Sequence, residues 1–489
     1  MKNNSLFLPG FHLQTLRRKP RSAQQILAQK LDDIRQKTFN QLGDCFDNLI
    51  PSYRLKPTES GLLSRRRIYS KENTFWAFFS QILDKDASCQ AVVRKLQSYL
   101  ALTSDKVPVS STSAYCQARQ KLSLPELEQV LQDTAEQLRP NRDSQQLQGR
   151  RVIVVDGTGL SMPDTPQNQD QWPQSRSQKP GCGFPQAQAC ACFCLQTGAL
   201  ISYRLGNKKS NELPLLRQQS DSFETNDIFL GDKGFCNYFD LSNFKDRSVD
   251  SVVSLARRKP VTAANAIEVL GDSDLLIQWQ KPKSRLDAAY SKQQWEALPE
   301  QLTLRQIKVM VTQPGFRGAI FHIVTTLLDP VKYPADQIID LYRQRWDVEL
   351  FFWDIKTTLG MDILRCKTPE MVRKEIVMHW IVYNCIRWLM NRAAETENRP
   401  VRRLSFTASV QALRQWEPMM VQAKNNPQEQ RRLRAHLLGI IAEKLVPDRP
   451  DRGEPRAVKR RPKNYQLMTV PRHAMMEQAH QGKYGAQGT

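Results

Sequence analysis

Apolar residues recur along the chain with two different periods, which divide it into a helical first part and a mixed second part. From Asn73 onward, the text NTFWAFFSQILDKDASCQAVVRKLQSYL has apolar residues at three- and four-residue spacing, as in a helix packed on one face. Residues 1 to about 140 are predicted to be helical on this basis. A polar link at residues 139 to 150 follows, and the β-branched run RVIVV begins at Arg151.

Two apolar runs of strand type each lead to an aspartate. RVIVV leads to Asp156, and NDIFLG leads to Asp232. Between them the pattern predicts two strands around a turn at Thr197 and Gly198, followed by a helix start in NELPLLRQQ. A buried strand that stops at Asp-Gly places its carboxylate at a carboxyl end of the sheet, where sites in α/β folds gather. Taken singly, such an aspartate is more often a turn or N-cap residue than a ligand.

Alternation of apolar and polar residues predicts a strand-rich insertion at residues 259 to 335. A further strand candidate, VDSVVSLARR, precedes it and ends near Arg258. The insertion carries Trp279, Trp295 and Phe316. These aromatic residues either pack in a core or stack on an unstacked base.

Helical spacing returns after the insertion, in the stretch from Leu341 to Gly360. At about 100° per residue, one stripe of this helix, within an arc of roughly 60°, carries Tyr342, Arg345, Glu349 and Lys356. A carboxylate flanked by two cations and a phenol suits a site where a metal ion acts on a phosphodiester. The alternative is a surface helix with ion pairs between neighbouring turns. A long apolar helix, EIVMHWIVYNCIRWLMNRAA, and a charged helical region at residues 401 to 445 follow.

The charge balance predicts a polyanionic partner. The 489 residues include 71 Lys and Arg against 49 Asp and Glu, a formal charge of +22, and nucleic acid is the partner that such an excess favours. The first 30 residues hold six cations and no acid, and residues 449 to 463 hold seven cations and two acids, net +5. A helix predicted after Ser110 is a further candidate for reading DNA, unless its polar residues only face neighbouring helices. The residues concerned are Ser111, Thr112, Tyr115, Gln117, Arg119 and Lys121.

We expect a cytoplasmic protein that does not cross a membrane. The longest apolar run, Ile376 to Met390, is interrupted by His379, Asn384 and Arg387. The N-terminal stretch lacks a cleavage site of the secretory type, and the ten cysteines include no CxxC pair.

Asp156, Asp232 and Glu349 together favour a metal site over three unrelated acids. Their order is strand-Asp, hairpin, helix, strand-Asp and, much later, helix-Glu. Three carboxylates without His or Cys are hard oxygen ligands, which suit Mg²⁺ and leave waters for a substrate phosphate. We expect two Mg²⁺ ions, for which Mn²⁺ can substitute.

These residues resemble the IS4 family of bacterial insertion-sequence transposases. Tyr342, Arg345, Glu349 and Lys356 match that family's Y-(2)-R-(3)-E-(6)-K signature, and the texts that begin at Asp156 (DGT) and Asp232 (DKGF) look like its two Asp blocks. STSAYCQARQKL, TTLLDP and EPRAVKRRPK also resemble the family, so the likeness covers roughly residues 60 to 470. Lys233 departs from the pattern, because the second block more often has Arg, whose bidentate fork Lys lacks.

The resemblance implies an α/β fold with an RNase H-like catalytic core, which holds Asp156, Asp232 and Glu349 as catalytic and metal-binding residues. It implies that Tyr342, Arg345, Lys356 and Lys233 contact DNA and that Trp346 assists base extrusion at a hairpin step. The domains expected are a helical N-terminal DNA-binding domain (1–140), the first part of the core (150–258), a β-rich insertion (259–335), the second part of the core with the Glu helix (336–400) and a helical, basic C-terminal region (401–489).

The implied activity is cut-and-paste DNA transposition that depends on Mg²⁺. A homodimer would pair the terminal inverted repeats of the element and cleave the ends, with a hairpin as the expected intermediate. It would then join the 3′ hydroxyls to target DNA. Two alternatives stay open at this point. One is a transposase-derived DNA-binding regulator with an idle site, and the other is an RNase H-like nuclease that cuts without joining.

Overall fold

The protein has a mixed α/β fold built around one large sheet. The computed structural model describes residues 41–46, 48–56, 62–63, 68–101, 107–140, 146–207, 212–255, 259–283, 290–311, 319–423, 426–447, 468–471 and 473–474. The basic segments predicted within residues 1 to 30 and 449 to 463, and Phe316, lie outside these ranges.

The strands are β1 (Val152–Ser161), β2 (Gln186–Cys194), β3 (Leu200–Asn207), β4 (Ile228–Leu230), β5 (Asp250–Ser254), β6 (Glu268–Gly271), β7 (Asp274–Gln280), β8 (Gln301–Val311) and β9 (Ala319–Thr325). The helices before the sheet are α1 (Gln41–Phe46), α2 (Lys71–Leu83), α3 (Cys89–Ala101), α4 (Ser113–Gln120) and α5 (Leu124–Gln137). Those between strands are α6 (Pro166–Gln171), α7 (Glu212–Arg217), α8 (Tyr238–Asp246) and α9 (Lys292–Glu296). After the sheet come α10 (Ala335–Arg343), α11 (Asp347–Trp353), α12 (Pro369–Thr396), α13 (Phe406–Gln422) and α14 (Pro427–Glu443).

The nine strands form one sheet in the order β3-β2-β1-β4-β5-β9-β8-β7-β6. β1 pairs antiparallel with β2 and parallel with β4, and β4 pairs parallel with β5. This arrangement fits an RNase H-like transposase core. The four strands of the predicted insertion, β6 to β9, extend the same sheet, and β9 pairs antiparallel with β5. The insertion is therefore continuous with the core sheet.

The alternation of side chains along β1 sends its apolar residues to both faces of the sheet. Val152 and Val154 belong to a large buried cluster that also contains the helices α2, α3, α5 and α12 to α14. Ile153 and Val155 belong to a second cluster, which packs α7 and α8 on the opposite face. Because both faces are covered, the run from Val152 to Val155 is apolar throughout, as expected for a buried parallel neighbour.

The long helix α12 is the apolar helix that the sequence predicts. Most of its residues from Met371 to Met390 are buried, and it packs against α5, α14 and α2. None of the helices in the described ranges is both long and apolar enough to cross a membrane.

Candidate active site

Asp156 lies inside β1, where the strand loses one of its two neighbours. The prediction that the strand stops at Asp156 is wrong, because β1 continues to Ser161 and pairs with β2 along the whole extension. Along β1, however, only Val152 to Val154 pair with β4, which ends at Leu230. Asp156 therefore stands at the carboxyl edge of the parallel strands, as expected, although the chain around it is still a strand. Its Oδ1 accepts a hydrogen bond from the Gly157 N–H at 2.8 Å.

Asp232 follows β4 by two residues and reaches the same edge of the sheet. Its Oδ1 accepts a hydrogen bond from the Gly234 N–H at 2.7 Å, so it caps the short 3₁₀ turn Lys233–Phe235. The N-cap role and a ligand role are compatible, because the cap occupies one carboxylate oxygen only. Lys233 is exposed beside it.

The stripe that carries Glu349 does not lie on one regular α-helix. The sequence predicts one helix from Leu341 to Gly360, but the structure has α10, a 3₁₀ turn (Gln344–Trp346), α11 and a π turn (Asp354–Thr358) in succession. The uniform 100° step is therefore wrong on both sides of Glu349. Changes of this kind within a helix often mark a functional position.

Tyr342 and Arg345 are almost completely buried, with exposed fractions of 8% each. The Arg345 guanidinium carbon lies 4.5 Å from the ring centre of Trp346 and 5.9 Å from that of Tyr342. Its Nε atom is buried and has no hydrogen-bond partner within the described structure. Burial raises the pKa of Tyr342, while a hydrogen bond with Ser254 and the charge of Arg345 lower it in part. An unsatisfied, buried guanidinium N–H suits an anionic ligand that is bound next to it.

Trp346 and Glu349 are exposed, and Lys356 points back to β1. The Lys356 Nζ donates to Thr158 Oγ1 at 3.2 Å and to the Gly159 carbonyl at 3.1 Å. The π turn thus directs Lys356 to the strand that carries Asp156.

The charged groups that act on Asp156 include other predicted site residues. Burial raises the pKa of the Asp156 carboxyl, and the charges of Asp232 and Glu349 raise it further. The Gly157 N–H and the guanidinium of Arg345 act in the opposite direction. Asp232, Glu349 and Arg345 are therefore close enough for their charges to act on Asp156.

Glu212 is an acidic member of this group that the sequence pattern did not single out. It is the first residue of α7, and its Oε1 accepts a hydrogen bond from Gln188 Nε2 at 3.1 Å. Burial raises the pKa of Glu212, and the charges of Asp156 and Asp232 raise it further. The only available signal was an acid at a predicted helix start after the hairpin, and many N-terminal helix residues share it.

Comparison with known proteins also indicates a transposase. Residues 147–385 match the model of the family described as "Transposase DDE domain". The chain is 26% identical over 443 residues to the transposase InsG for insertion sequence element IS4 of Escherichia coli (strain K12), across 90% of this chain and 96% of that relative. These two matches identify a DDE transposase domain at residues 147–385 and support an IS4-family transposase.

Two further similarities are more limited. The transposase for insertion sequence element IS421 of Escherichia coli is 38% identical over 80 residues, which are 16% of this chain and 20% of that relative. The cryo-EM structure of a piggyBac transposase synaptic complex with hairpin DNA is similar with a TM-score of 0.40 and 13% identity, across 86% of this chain and 88% of that one.

The DDE transposase domain and the IS4 relative indicate an enzyme that cleaves and transfers DNA, and the domain implies dependence on a divalent metal. The residues at the sheet edge fit such an ion in chemistry, because the acids are hard oxygen donors and nearby negative charges raise the pKa of Asp156 and of Glu212. In the part of the chain that the structure describes, no three His, Cys, Asp or Glu side chains lie close enough together to hold a metal ion. Pairs of carboxylates, completed by waters and a phosphate, are what the arrangement offers.

Only some of the residues predicted to read DNA near α4 are exposed. Tyr115 is fully buried and donates to Gln81 Oε1 at 2.7 Å, and Arg119 Nη1 donates to the same oxygen at 2.9 Å. A base-reading role for Tyr115 is therefore wrong, because its side chain is buried against α2. Arg119 is partly buried by the same contact. Ser111, Gln117 and Lys121 are exposed.

The two tryptophans predicted as alternatives for base stacking are also held within the protein. Trp279 is buried with an exposed fraction of 4%. Trp295 stacks on Tyr290 with 5.7 Å between ring centres, and Lys281 lies 5.8 Å from its ring centre. Core packing is thus the interpretation that the structure supports for both.

Proposed function

We propose that this transposase catalyses cut-and-paste DNA transposition with Mg²⁺ at a site formed by Asp156, Asp232 and Glu349. The observation that carries the proposal is that Asp156 and Asp232 lie at one edge of the parallel strands, beside the buried Arg345, and that the charge of Glu349 also acts on Asp156. When bound, one Mg²⁺ held by Asp156 and Asp232 and another held by Asp156 and Glu349 would activate the attacking oxygen and stabilise the leaving oxygen.

The protein's own residues hold the phosphodiester in line. Arg345 has a buried N–H without a partner, which suits a phosphate oxygen, and Tyr342 packs beside it. Lys356 fixes the π turn to β1 and adds positive charge next to Asp156. These are orientation roles, which lower the barrier without moving a proton.

One site of this kind serves every step of the proposed sequence. Water cuts one strand, the freed hydroxyl attacks the other strand to form a hairpin, water opens the hairpin, and the 3′ hydroxyl attacks target DNA. Each step is the same displacement with a different nucleophile. Trp346 is exposed by 56%, which suits an aromatic side chain that supports an extruded base, and Lys233 is exposed beside Asp232 for a phosphate contact.

The proposal includes a division of labour along the chain. Residues 1–140 and 401–489 recognise and pair the two terminal inverted repeats within a homodimer, and residues 150–258 and 336–400 provide the catalytic core around the insertion at 259–335. The net charge of +22 supports long basic surfaces for phosphate contact.

The test is a cleavage and joining assay on duplex DNA that ends in the inverted repeats flanking the coding sequence. We expect Mg²⁺-dependent cleavage and joining by the wild type, and a loss of both steps in Asp156→Asn and Glu349→Gln. Asp170→Asn, which changes an exposed carboxylate, is the matched control and should cut like the wild type.

Full cleavage by either site variant would refute the site. Cleavage by the wild type without any joining would favour the nuclease alternative, and specific binding to the repeats without cleavage would favour the regulator.

A further inference from the structure

Glu212 approaches β1 from the face of the sheet opposite to Val152 and Val154. α7 packs Leu215 and Leu216 into the second apolar cluster, and this packing brings Glu212 to the strand. Gln188, which lies opposite Gly159 in the β1–β2 register, donates its Nε2 to Glu212 Oε1 at 3.1 Å. The carboxylate is thus held by a neighbouring strand at the level of the catalytic edge.

Gly157 provides the space that the Glu212 carboxylate occupies. A Cβ atom at this position would lie 1.8 Å from Glu212 Oε1 and 2.4 Å from its carboxyl carbon. Any other residue beside Asp156 would therefore displace Glu212. The absence of a side chain at residue 157 is a structural requirement for this close approach.

The local charge makes an additional acid at this place unfavourable unless a cation joins it. The charges of Asp156 and Asp232 raise the pKa of the Glu212 carboxyl, and the hydrogen bond that Glu212 accepts comes from the neutral amide of Gln188. Lys356 is bound to Thr158 and Gly159. The buried Nε–H of Arg345 has no hydrogen-bond partner within the described residues. It is a second, independent sign that a ligand, here an anionic one, binds at this edge of the sheet.

We propose that Glu212 is a fourth carboxylate of the divalent-metal site, which acts from outside the direct ligands through a metal-bound water beside Asp156, and that Gly157 is the residue that admits it. Gln188 occupies Oε1, so Oε2 remains for such a water. This inference rests on the proposed function, since it presupposes that Asp156 and Asp232 bind the metal. Groups that support metal ligands in this way typically contribute about ten- to a hundredfold in affinity.

Mn²⁺ binding to the full-length protein without DNA tests the inference, because the readout does not require catalysis. We expect Glu212→Gln to bind Mn²⁺ about tenfold more weakly than the wild type, as followed by the electron paramagnetic resonance signal of free Mn²⁺. The substitution keeps the side-chain shape and the hydrogen bond with Gln188. Glu268→Gln, at an exposed position of β6, is the matched control and should leave binding unchanged.

Asp156→Asn separates failure of this inference from failure of the proposed function. If Asp156→Asn loses Mn²⁺ binding while Glu212→Gln binds like the wild type, the role of Glu212 is refuted and the metal site stands. If Asp156→Asn also binds like the wild type, the metal site itself is refuted, and the role of Glu212 falls with it. Circular dichroism at the assay temperature verifies that each variant is folded.

A double-mutant cycle addresses the role of Gly157. Gly157→Ala should weaken Mn²⁺ binding because the new methyl group displaces Glu212. In the Glu212→Ala background the same change should cost little further affinity, since the carboxylate is already absent. Equal losses in both backgrounds would contradict the inference, because they would mean that Gly157 acts on Asp156 alone.

Discussion

Asp156 is the residue on which the opposing electrostatic effects converge. Burial and the charges of Asp232 and Glu349 raise its pKa, and Arg345 counteracts them. Because the proposed chemistry needs an ionised Asp156, cleavage should rise with pH as this carboxyl loses its proton. Removing Arg345 should raise the pKa of Asp156 further.

We therefore expect Arg345→Met to shift the acidic limb of the pH–rate profile to higher pH and to slow cleavage about a hundredfold, through lost phosphate orientation. Single-turnover cleavage across a pH series measures both effects. Arg343→Met is the control, because Arg343 is exposed and its carboxylate partner Asp340 is 3.7 Å away. A slower variant with an unmoved acidic limb would show that Arg345 does not act on Asp156.

Trp346 allows a second test at the residue scale. Its ring is exposed by 56% while Arg345 covers one side at 4.5 Å. Because stacking of a base on an aromatic ring is worth about 1–3 kcal/mol, Trp346→Ala should slow hairpin formation about tenfold and affect the first nick less. Trp353→Ala is the matched control, as Trp353 is exposed by 62% on the same helical run. Equal slowing of the nick and the hairpin would make Trp346 a packing residue.

The sequence was informative for those site residues whose positions follow from local patterns. Asp156 and Asp232 could be located because short apolar runs precede them, and Glu349 because its spacing matches a known signature. Glu212 could not, since its proximity depends on the strand register that brings Gln188 and Gly157 under α7. The partial burial of Arg119 could not be predicted either, because its partner Gln81 is 38 residues away in the sequence.

At the scale of elements, the helical run from α10 to the π turn shows what periodicity cannot reveal. Polar and apolar positions predicted one helix, whereas the structure has a π turn that begins at Asp354 and packs against α12 and α13. Asp354 is mostly buried, and burial raises its pKa from 3.8 to about 7, although Arg387 lowers it in part. The turn therefore contains an acid that is unfavourable in its charged form.

This acid gives the native state a pH dependence with a defined sign. The unfolded chain releases the Asp354 proton near pH 4, but the folded protein retains it up to about pH 7, so stability falls as pH rises between these values. At about 1.4 kcal/mol per pKa unit, the loss above pH 7 is at most about 4 kcal/mol.

Asp354→Asn should remove this loss, so we expect a variant that is more stable than the wild type at pH 8 and whose advantage is clearly smaller at pH 5. Urea unfolding at both pH values measures the difference. Asp362→Asn, an exposed acid after the same turn, serves as control. A variant that is less stable at pH 8 would mean that the charged carboxylate is needed in the turn.

At the scale of the whole molecule, the helical regions before and after the sheet share one core. A single cluster of buried side chains includes residues from Cys45 to Ala442. The sequence predicted both helical regions from spacing and charge, but contacts between such distant segments leave no periodic signal. One polar contact lies inside this interface. Glu417 of α13, with an exposed fraction of 1%, accepts from Ser80 of α2 at 2.8 Å and from Lys95 of α3 at 2.9 Å.

This buried contact predicts how strongly the N-terminal helices depend on the C-terminal ones. Lys95→Met should leave the Glu417 carboxylate buried without its cation and lower the free energy of unfolding by about 3 kcal/mol. Lys71→Met is the matched control, because its partner Glu126 is exposed by 47%, and should cost less than about 1 kcal/mol. Chemical unfolding of both variants measures the two costs. Equal, small effects would mean that solvent or other groups satisfy Glu417, and that apolar packing alone joins the two helical regions.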